Sequence, residues 1–227
     1  MGMEAKRFAL IVAGGSGTRM GNAIPKQFLL LDGKPVLQHT ISRFYPHIHA
    51  VWVVLPEQHI PLWNELCLQY QFTVPHKLVA GGSTRFESVK NGLTQIQEAG
   101  WVAVHDGVRP LISDECIKST FLTATEKGNA ICTVKPKDSV RFLRTAHDTV
   151  SLNRDDCRLI QTPQIFDVQT IKSAYENVEF RDEFTDDASV AEAYGVKIHL
   201  SDGEYSNIKI TTPEDLVVAE ALLQGIK

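Results

Sequence analysis

Phe8-Ala9-Leu10-Ile11-Val12-Ala13-Gly14-Gly15-Ser16-Gly17-Thr18-Arg19-Met20-Gly21 is the stretch on which the fold turns. Its unbroken apolar opening has no polar alternation, so it reads as a strand buried on both faces, the habit of parallel sheets covered by helices. The glycines that follow let backbone come close to a phosphate and aim N–H groups at it. Arg19 and, downstream, Lys26 of Pro25-Lys26-Gln27 add positive charge beside that turn. A tight strand-to-helix turn with surface cations fits the same residues. A Walker A loop, G-x-x-x-x-G-K-[ST], matches nothing here. A dinucleotide fingerprint counted from Gly15 and Gly17 finds Met20 where its third glycine belongs, and 34–38 offers no acid for a ribose.

Outward from this strand, short β-branched runs recur at 51–55, 77–80, 102–105 and 130–134. Between them, 36–44, 60–70, 85–98 and 114–126 carry apolar residues at helical spacing. Ser113-Asp114 and Lys127-Gly128 supply start and stop signals for the last of these. The alternation predicts an α/β fold, a Rossmann-like open and mostly parallel sheet with helices on both faces. Farther on, Thr185-Asp186-Asp187 opens a helix that Gly195 closes, and 196–200 and 207–210 read as short strands. Thr212-Pro213-Glu214-Asp215 starts the last helix, with Thr212 as N-cap and Pro213 at its first position. No repeat or linker divides the chain, so 1–227 reads as one domain. One segment departs from the pattern: 139–143 and 149–152 alternate like paired strands around Thr145-Ala146-His147-Asp148. A lone hairpin is marginal in water, so it is either a surface hairpin or an arm that packs on a second subunit.

Composition narrows the classes. Of 227 residues, 43% are hydrophobic and 22% charged, which excludes a disordered chain. Apolar runs reach only six residues (8–13 and 50–55) against the roughly 20 of a membrane-spanning helix, so no membrane partner is expected. A net charge of −4 speaks against a nucleic-acid polymer as partner but not against basic pockets for a small phosphate. Cys67, Cys116, Cys132 and Cys157 form no C-x-x-C pair and fit reduced thiols in a cytoplasmic protein. The opening Met1-Gly2-Met3-Glu4-Ala5-Lys6 has no signal-like apolar stretch, and Lys6 stands where N-myristoylation wants Ser or Thr.

Two further constellations carry chemistry. In Gly81-Gly82-Ser83-Thr84-Arg85-Phe86-Glu87-Ser88-Val89 a strand ends, two glycines admit close backbone approach, and Ser88 falls in the first turns of a helix. N–H groups and a hydroxyl there can read the polar edge of a base; a glycine turn with a capping serine is the plainer alternative. Val104-His105-Asp106-Gly107-Val108-Arg109-Pro110 ends a buried strand in an acid and a base. Ligands of open α/β sheets lie beyond such carboxyl ends. Asp106 is placed for a ribose hydroxyl or the outer shell of a Mg²⁺, and Arg109 for a phosphate; a structural Asp–Arg pair competes. His105 points to the opposite face.

Together these segments resemble the sugar and polyol phosphate nucleotidylyltransferases. With Thr162-Pro163-Gln164, Thr185-Asp186-Asp187-Ala188-Ser189 and Asn207-Ile208-Lys209-Ile210-Thr211, the chain is similar to the 2-C-methyl-D-erythritol 4-phosphate cytidylyltransferase family across positions 13 to 215. The resemblance implies that Ala13, Gly14, Gly15 and Gly17 line CTP, that Gly82 and Ser88 read cytosine, and that Arg19 and Lys26 stabilise charge at the α-phosphate. It implies that Asp106, Arg109, Ser139, Arg154, Thr162 and Lys209 hold methylerythritol phosphate, with Arg154 and Lys209 positioning it for attack. Mg²⁺ or another divalent cation would be held mainly by the CTP phosphates. Family members are homodimers whose arm, here about 135–157, crosses to the neighbour and can carry Arg154 into its site.

The chain departs from the family pattern at three places. Ser83 stands where an acid is common, Gly107-Val108 replaces two alanines, and Ser139 replaces threonine. Ribitol 5-phosphate cytidylyltransferases share G-G-x-G-x-R-M, P-K-Q and N-I-K-x-T-x-P, but Thr185–Ser189 as T-D-D-A-S favours the methylerythritol enzyme. A dinucleotide-dependent oxidoreductase lacks its fingerprint here. A non-catalytic nucleotide-binding module would not need both cations, Arg19 and Lys26.

Overall fold

The structure, a computed structural model, describes residues 5–14 and 24–225. Gly15, Gly17 and Arg19 therefore lie outside the described residues. The chain runs through β1 (Arg7–Val12), β2 (Leu30–Leu31), β3 (Lys34–Pro35), α1 (Val36–Phe44), β4 (Ala50–Leu55), α2 (Ile60–Gln69) and β5 (Lys77–Ala80). It continues with α3 (Arg85–Thr94), β6 (Trp101–Asp106), α4 (Asp114–Lys127), β7 (Asn129–Val134), β8 (Val140–Leu143) and β9 (Thr149–Leu152). Then follow β10 (Leu159–Asp167), α5 (Val168–Asn177), α6 (Asp187–Ala193), β11 (Leu200–Asp202) and α7 (Pro213–Gly225).

Seven of these strands form one sheet in the order β11-β7-β10-β6-β1-β4-β5. All neighbours are parallel except β10, which runs antiparallel to both β6 and β7. The continuous apolar run of β1 is explained by burial on two sides. Phe8, Leu10 and Val12 join a core with residues of α3, α5 and α6. Ala9 and Ile11 join another with residues of α1, α2 and α4. This is the doubly covered α/β sheet that the alternation predicts. A third cluster, Leu31, Val36, Val108, Leu111, Ile210, Ala219 and Leu223, seats α7 beneath the loop that follows β6.

The expected caps form. Ser113 Oγ accepts the Cys116 N–H at 3.0 Å, and Asp186 accepts the Ser189 N–H at 2.9 Å. Asp215 accepts the N–H groups of Thr211 and Thr212 at 2.8 Å each. The expected hairpin is present as β8 paired antiparallel with β9 in a small sheet of its own.

Three expectations need correction. The helix expected over 85–98 ends at Thr94, where tighter bonds from Gln95 N to Gly92 O and Ile96 N to Leu93 O take over. The strand expected at 196–200 begins only at Leu200, because the Asn129 side chain replaces the ladder before it. That amide donates to Lys197 O and accepts from His199 N, both at 2.8 Å. The strand expected at 207–210 does not form, since β6 already has β1 and β10 on its two edges. Its backbone instead reaches the loop after β6 through Ile210 N to Val108 O at 2.9 Å, and so carries Lys209 to the end of β6. One element lies outside the expected pattern altogether: β10, a central strand holding Pro163. A proline has no N–H for the ladder, and the pairing with β7 shifts register between Ile160 and Gln164 to accommodate it. Cys116 and Cys132, distant in sequence, bring their thiols within 3.5 Å.

Candidate active site

The strand ends build the site. Beyond β1 the backbone turns at Ala13, whose N–H bonds Val54 O at 2.9 Å, while Gly107 N bonds Val12 O at 2.8 Å. A Cβ at position 107 would lie 2.7 Å from that of Ala13, so the two strand ends approach this closely only over a glycine. Gln27, itself buried, donates its amide to Ala13 O at 2.9 Å and fixes the turn that carries Lys26. Beyond β5, Gly82 N bonds the buried Ser88 Oγ at 3.1 Å, and a Cβ on Gly82 would fall 2.3 Å from Glu87 Cβ. The Ser83 hydroxyl and N–H both go to Glu87 Oε2, at 2.6 and 2.7 Å. These bonds lower the Glu87 carboxyl from its ordinary pKa.

Two cavities open at the carboxyl ends of the strands. Ala13, Gly14, Lys26, Gly82, Ser88, Asp106 and Lys209 all line the first, with Gln27, Ser83 and Arg85. Asp106, Arg109, Thr162 and Lys209 line the second, with Gln161, Gln164, Thr185, Asp186 and again Arg85. Arg85, Asp106 and Lys209 are thus common to both walls. Asp106 Oδ2 accepts Arg109 Nε and Lys209 Nζ, each at 3.1 Å. Burial alone would raise this carboxyl, but Lys209, Arg85 and Arg109 outweigh it and hold Asp106 well below the usual range. Arg109 also donates to Asn207 O at 2.8 Å. The Asp–Arg pair therefore exists, within a charged cluster that faces both cavities.

His105 is fully buried on the side away from the cavities, against Phe44. It nonetheless braces the site. Asp106 N–H donates to Thr162 Oγ1 at 3.0 Å, the Thr162 hydroxyl donates to His105 Nδ1 at 3.0 Å, and Nε2–H reaches Arg109 O at 3.2 Å. Burial pushes the imidazole down to a pKa of about 4, so it is neutral at physiological pH. Above pH 6.5 neither folded nor unfolded chain protonates it. Between pH 6.5 and 4 the unfolded chain takes up a proton that the folded one refuses, so acidification lowers stability by up to about 3 kcal/mol over that window. Urea melts of the unaltered chain and of His105→Gln from pH 7.5 to 4 are expected to converge in slope only above 6.5. Parallel curves throughout would remove this role.

Two expected site residues stand elsewhere. Ser139 is exposed just before β8, and Arg154, exposed in a short turn after β9, donates to Lys137 O at 2.9 Å. Neither lines the two cavities among the described residues.

Over residues 8–225 the chain matches the family model described as 2-C-methyl-D-erythritol 4-phosphate cytidylyltransferase. The chain belongs to that family. It is 48% identical over 219 residues to the cytidylyltransferase of that name from Bacteroides fragilis, covering 96% of this chain and 99% of the relative. The Porphyromonas gingivalis W83 protein of the same name is 48% identical over 223 residues, with 97% and 99% covered. The crystal structure of 4-diphosphocytidyl-2C-methyl-D-erythritol synthase from Anaerococcus prevotii superposes with a TM-score of 0.82 at 31% identity, over 97% of this chain and 99% of that one. The Thermus thermophilus cytidylyltransferase structure gives 0.78 at 29%, over 98% and 100%. The Rossmann-like fold with its mostly parallel sheet is that of the cytidylyltransferase family, and the chain is an enzyme of that class.

Beyond the expected residues, the walls of the two cavities also carry Arg85, Gln161, Gln164 and Asp186. Arg85, Gln164 and Asp186 stand inside the sequence motifs with no role assigned to them, whereas Gln161 is revealed only by the unforeseen β10. For a divalent cation, no group of three or more His, Cys, Asp or Glu side chains is placed to hold one among the described residues. The first cavity's described lining offers one carboxylate, Asp106. That donor set fits a cation that arrives on a triphosphate and takes at most one protein oxygen, not a resident protein cage. Among the described residues no helix is long and apolar enough to cross a membrane.

Proposed function

We propose that the chain transfers the cytidylyl group of CTP to 2-C-methyl-D-erythritol 4-phosphate and releases pyrophosphate, a step of non-mevalonate isoprenoid precursor synthesis. The observation that carries this reading beyond family membership is the pair of cavities sharing Arg85, Asp106 and Lys209. A nucleotide in one and a phosphorylated acceptor in the other meet at that wall.

The chemistry needs no general base. A phosphomonoester loses its second proton near pH 6, so at neutral pH the acceptor dianion is already a nucleophile. The neutral, enclosed His105 is consistent with that. The acceptor oxygen attacks the α-phosphorus in line and pyrophosphate departs, while negative charge gathers on the equatorial oxygens. Positioned cations then supply the catalysis. Lys26 and Arg19 serve the nucleotide phosphates, Gly82 and Ser88 the base, and Lys209, Arg109 and Thr162 the acceptor. A divalent cation bound to the triphosphate, Mg²⁺ foremost, would neutralise part of its charge, with Asp106 in its outer shell.

The arm at about 135–157 serves a homodimer in this reading. Phe142 and Leu143 on β8 and Leu152 on β9 are 56%, 66% and 39% exposed, an apolar set that one chain leaves uncovered. A partner's arm would then bring its Arg154 and Ser139 to the acceptor cavity. Pyrophosphate release from CTP and Mg²⁺ with each polyol phosphate tests the whole reading, and activity is expected with methylerythritol phosphate. Preference for ribitol 5-phosphate would sink the acceptor assignment; no release with either would sink the transfer. Sedimentation of the same samples is expected to give a dimer, and a fully active monomer would dispose of the arm.

A further inference from the structure

Arg85 opens α3, one residue after its N-cap Thr84, and its side chain lines both cavities. Its guanidinium is gripped from behind. Nη1 donates to Asp187 Oδ1 at 2.9 Å and Nη2 to Asp187 Oδ2 at 2.7 Å, a bidentate fork. Asp187 has no solvent exposure, and the Tyr175 hydroxyl of α5 donates to its Oδ1 at 2.7 Å. Burial would discharge Arg85, but the Asp187 carboxylate outweighs it and the guanidinium stays charged. The Tyr175 phenol is held well above its ordinary pKa, first by burial and then by Asp187, so it remains a donor.

What each end of this fork carries gives it meaning. Gly82, Ser83, Thr84 and Ser88, around Arg85, line the first cavity, the side given to the nucleotide in the transfer reading. Asp187 begins α6, whose preceding residue Asp186 accepts Gln164 Nε2 at 3.0 Å, while Ala188 N donates to Gln164 Oε1 at 2.8 Å. Gln164, Thr185 and Asp186 wall the second cavity. The fork is thus a direct charged link from α3 to the start of α6, set behind the cavity walls and separate from the pairs Asp106 makes with Arg109 and Lys209. Two of the five guanidinium N–H groups are spent on Asp187, and Asp106 lies within the field of the rest.

We infer that Arg85, seated on Asp187, is a positioning residue for the transfer: it sets the nucleotide cavity in register with the acceptor cavity across their common wall. A purely structural fork would stabilise α3 against α6 and leave the kinetics of the folded enzyme alone. A fork that sets register must act on both substrates together, whereas acceptor-wall residues such as Thr162 act on one.

The inference rests on the transfer reading, so unaltered enzyme is first shown to release pyrophosphate; its silence would indict that reading, not this one. Arg85→Lys keeps the charge and loses the fork, and Asp187→Asn keeps the shape and loses the charge. Each is expected to raise KM for CTP and for the acceptor by about tenfold and to lower kcat, from the loss of charge-assisted bonds. The double variant should be little worse than the poorer single one. Tyr175→Phe, which removes one bond and keeps the packing with Phe86, should move both KM values in the same direction by less. It also serves if the other variants do not fold. Thermal melts accompany each assay. Folded variants with lowered Tm but unchanged KM for both substrates would overturn the inference, as would a shift in only one of them.

Discussion

Replacing Lys26 by alanine is expected to lower kcat by roughly 10²–10³ while leaving the fold intact, the loss typical of one preorganised donor to a developing charge. Lys26 lies half-buried in a short turn on the wall of the first cavity. The turn is anchored by its neighbours. Gln27 holds Ala13 O through its amide, and Phe28 stacks on Trp63 with ring centroids 5.9 Å apart and planes 12° apart. Lys26→Ala takes the ammonium charge from the cavity wall while Gln27 and Phe28 still hold the turn. Steady-state pyrophosphate release beside a thermal melt checks both halves. A folded Lys26→Ala enzyme with near-normal kcat would remove Lys26 from the reaction. Lys26→Arg, which restores charge with different geometry, is expected to recover part of the rate.

Asp106→Asn is expected to cost both stability and activity. The side chain keeps its size but no longer answers Arg109 and Lys209, and the field of Arg85 loses its counterweight. Stripping one partner from a buried ion cluster costs about 3 kcal/mol; Lys209, 41% exposed, is partly screened and contributes the smaller share. Freed from the shared carboxylate, Arg109 and Lys209 lose the geometry that aims them at a phosphate, so kcat/KM is expected to fall by about 10². Chemical denaturation and acceptor-saturation kinetics on the same preparation measure the two effects. Unchanged stability would show that the cluster's charges are solvated independently. The folded-state depression of the Asp106 carboxyl adds a second signature. Its stabilisation is complete above about pH 4 and lost as pH falls below, and that acid limb should be absent from Asp106→Asn.

Much of this was legible in the residues. The doubly buried run of β1 and the helix–strand alternation through α4 follow from periodicity, because each strand's two faces meet helices that repeat every few residues. Gly14, Gly82 and Gly107 and the charges of Asp106 and Arg109 stand at or just after strand ends, where open α/β sheets gather ligands, whereas Lys209 entered only through the family resemblance. What sequence could not yield is nonlocal. Pro163 argues against a central strand, and only the register shift beside it makes β10 possible. Asn129 imitates a strand partner with a side chain, which no periodicity records. Arg85 reads as an ordinary first residue of a helix until Asp187, a hundred residues later, is seen to hold it. The α5 helix was open to inference, since Val168, Ile171, Ala174 and Tyr175 follow helical spacing behind the Asp167 cap.

The two cavities also divide along the chain. The described residues that line the first alone, from Val12 to Val108, all precede position 109, while those that line the second alone begin with Arg109 and run through 160–186. In the proposed transfer, donor and acceptor recognition then fall in successive, nearly non-overlapping stretches, joined by Arg85, Asp106 and Lys209. A lineage could exchange its acceptor by substitution within β10 and the start of α6 while inheriting the nucleotide half unaltered. Such a split lets one activating chemistry be handed to new alcohol phosphates without being reinvented.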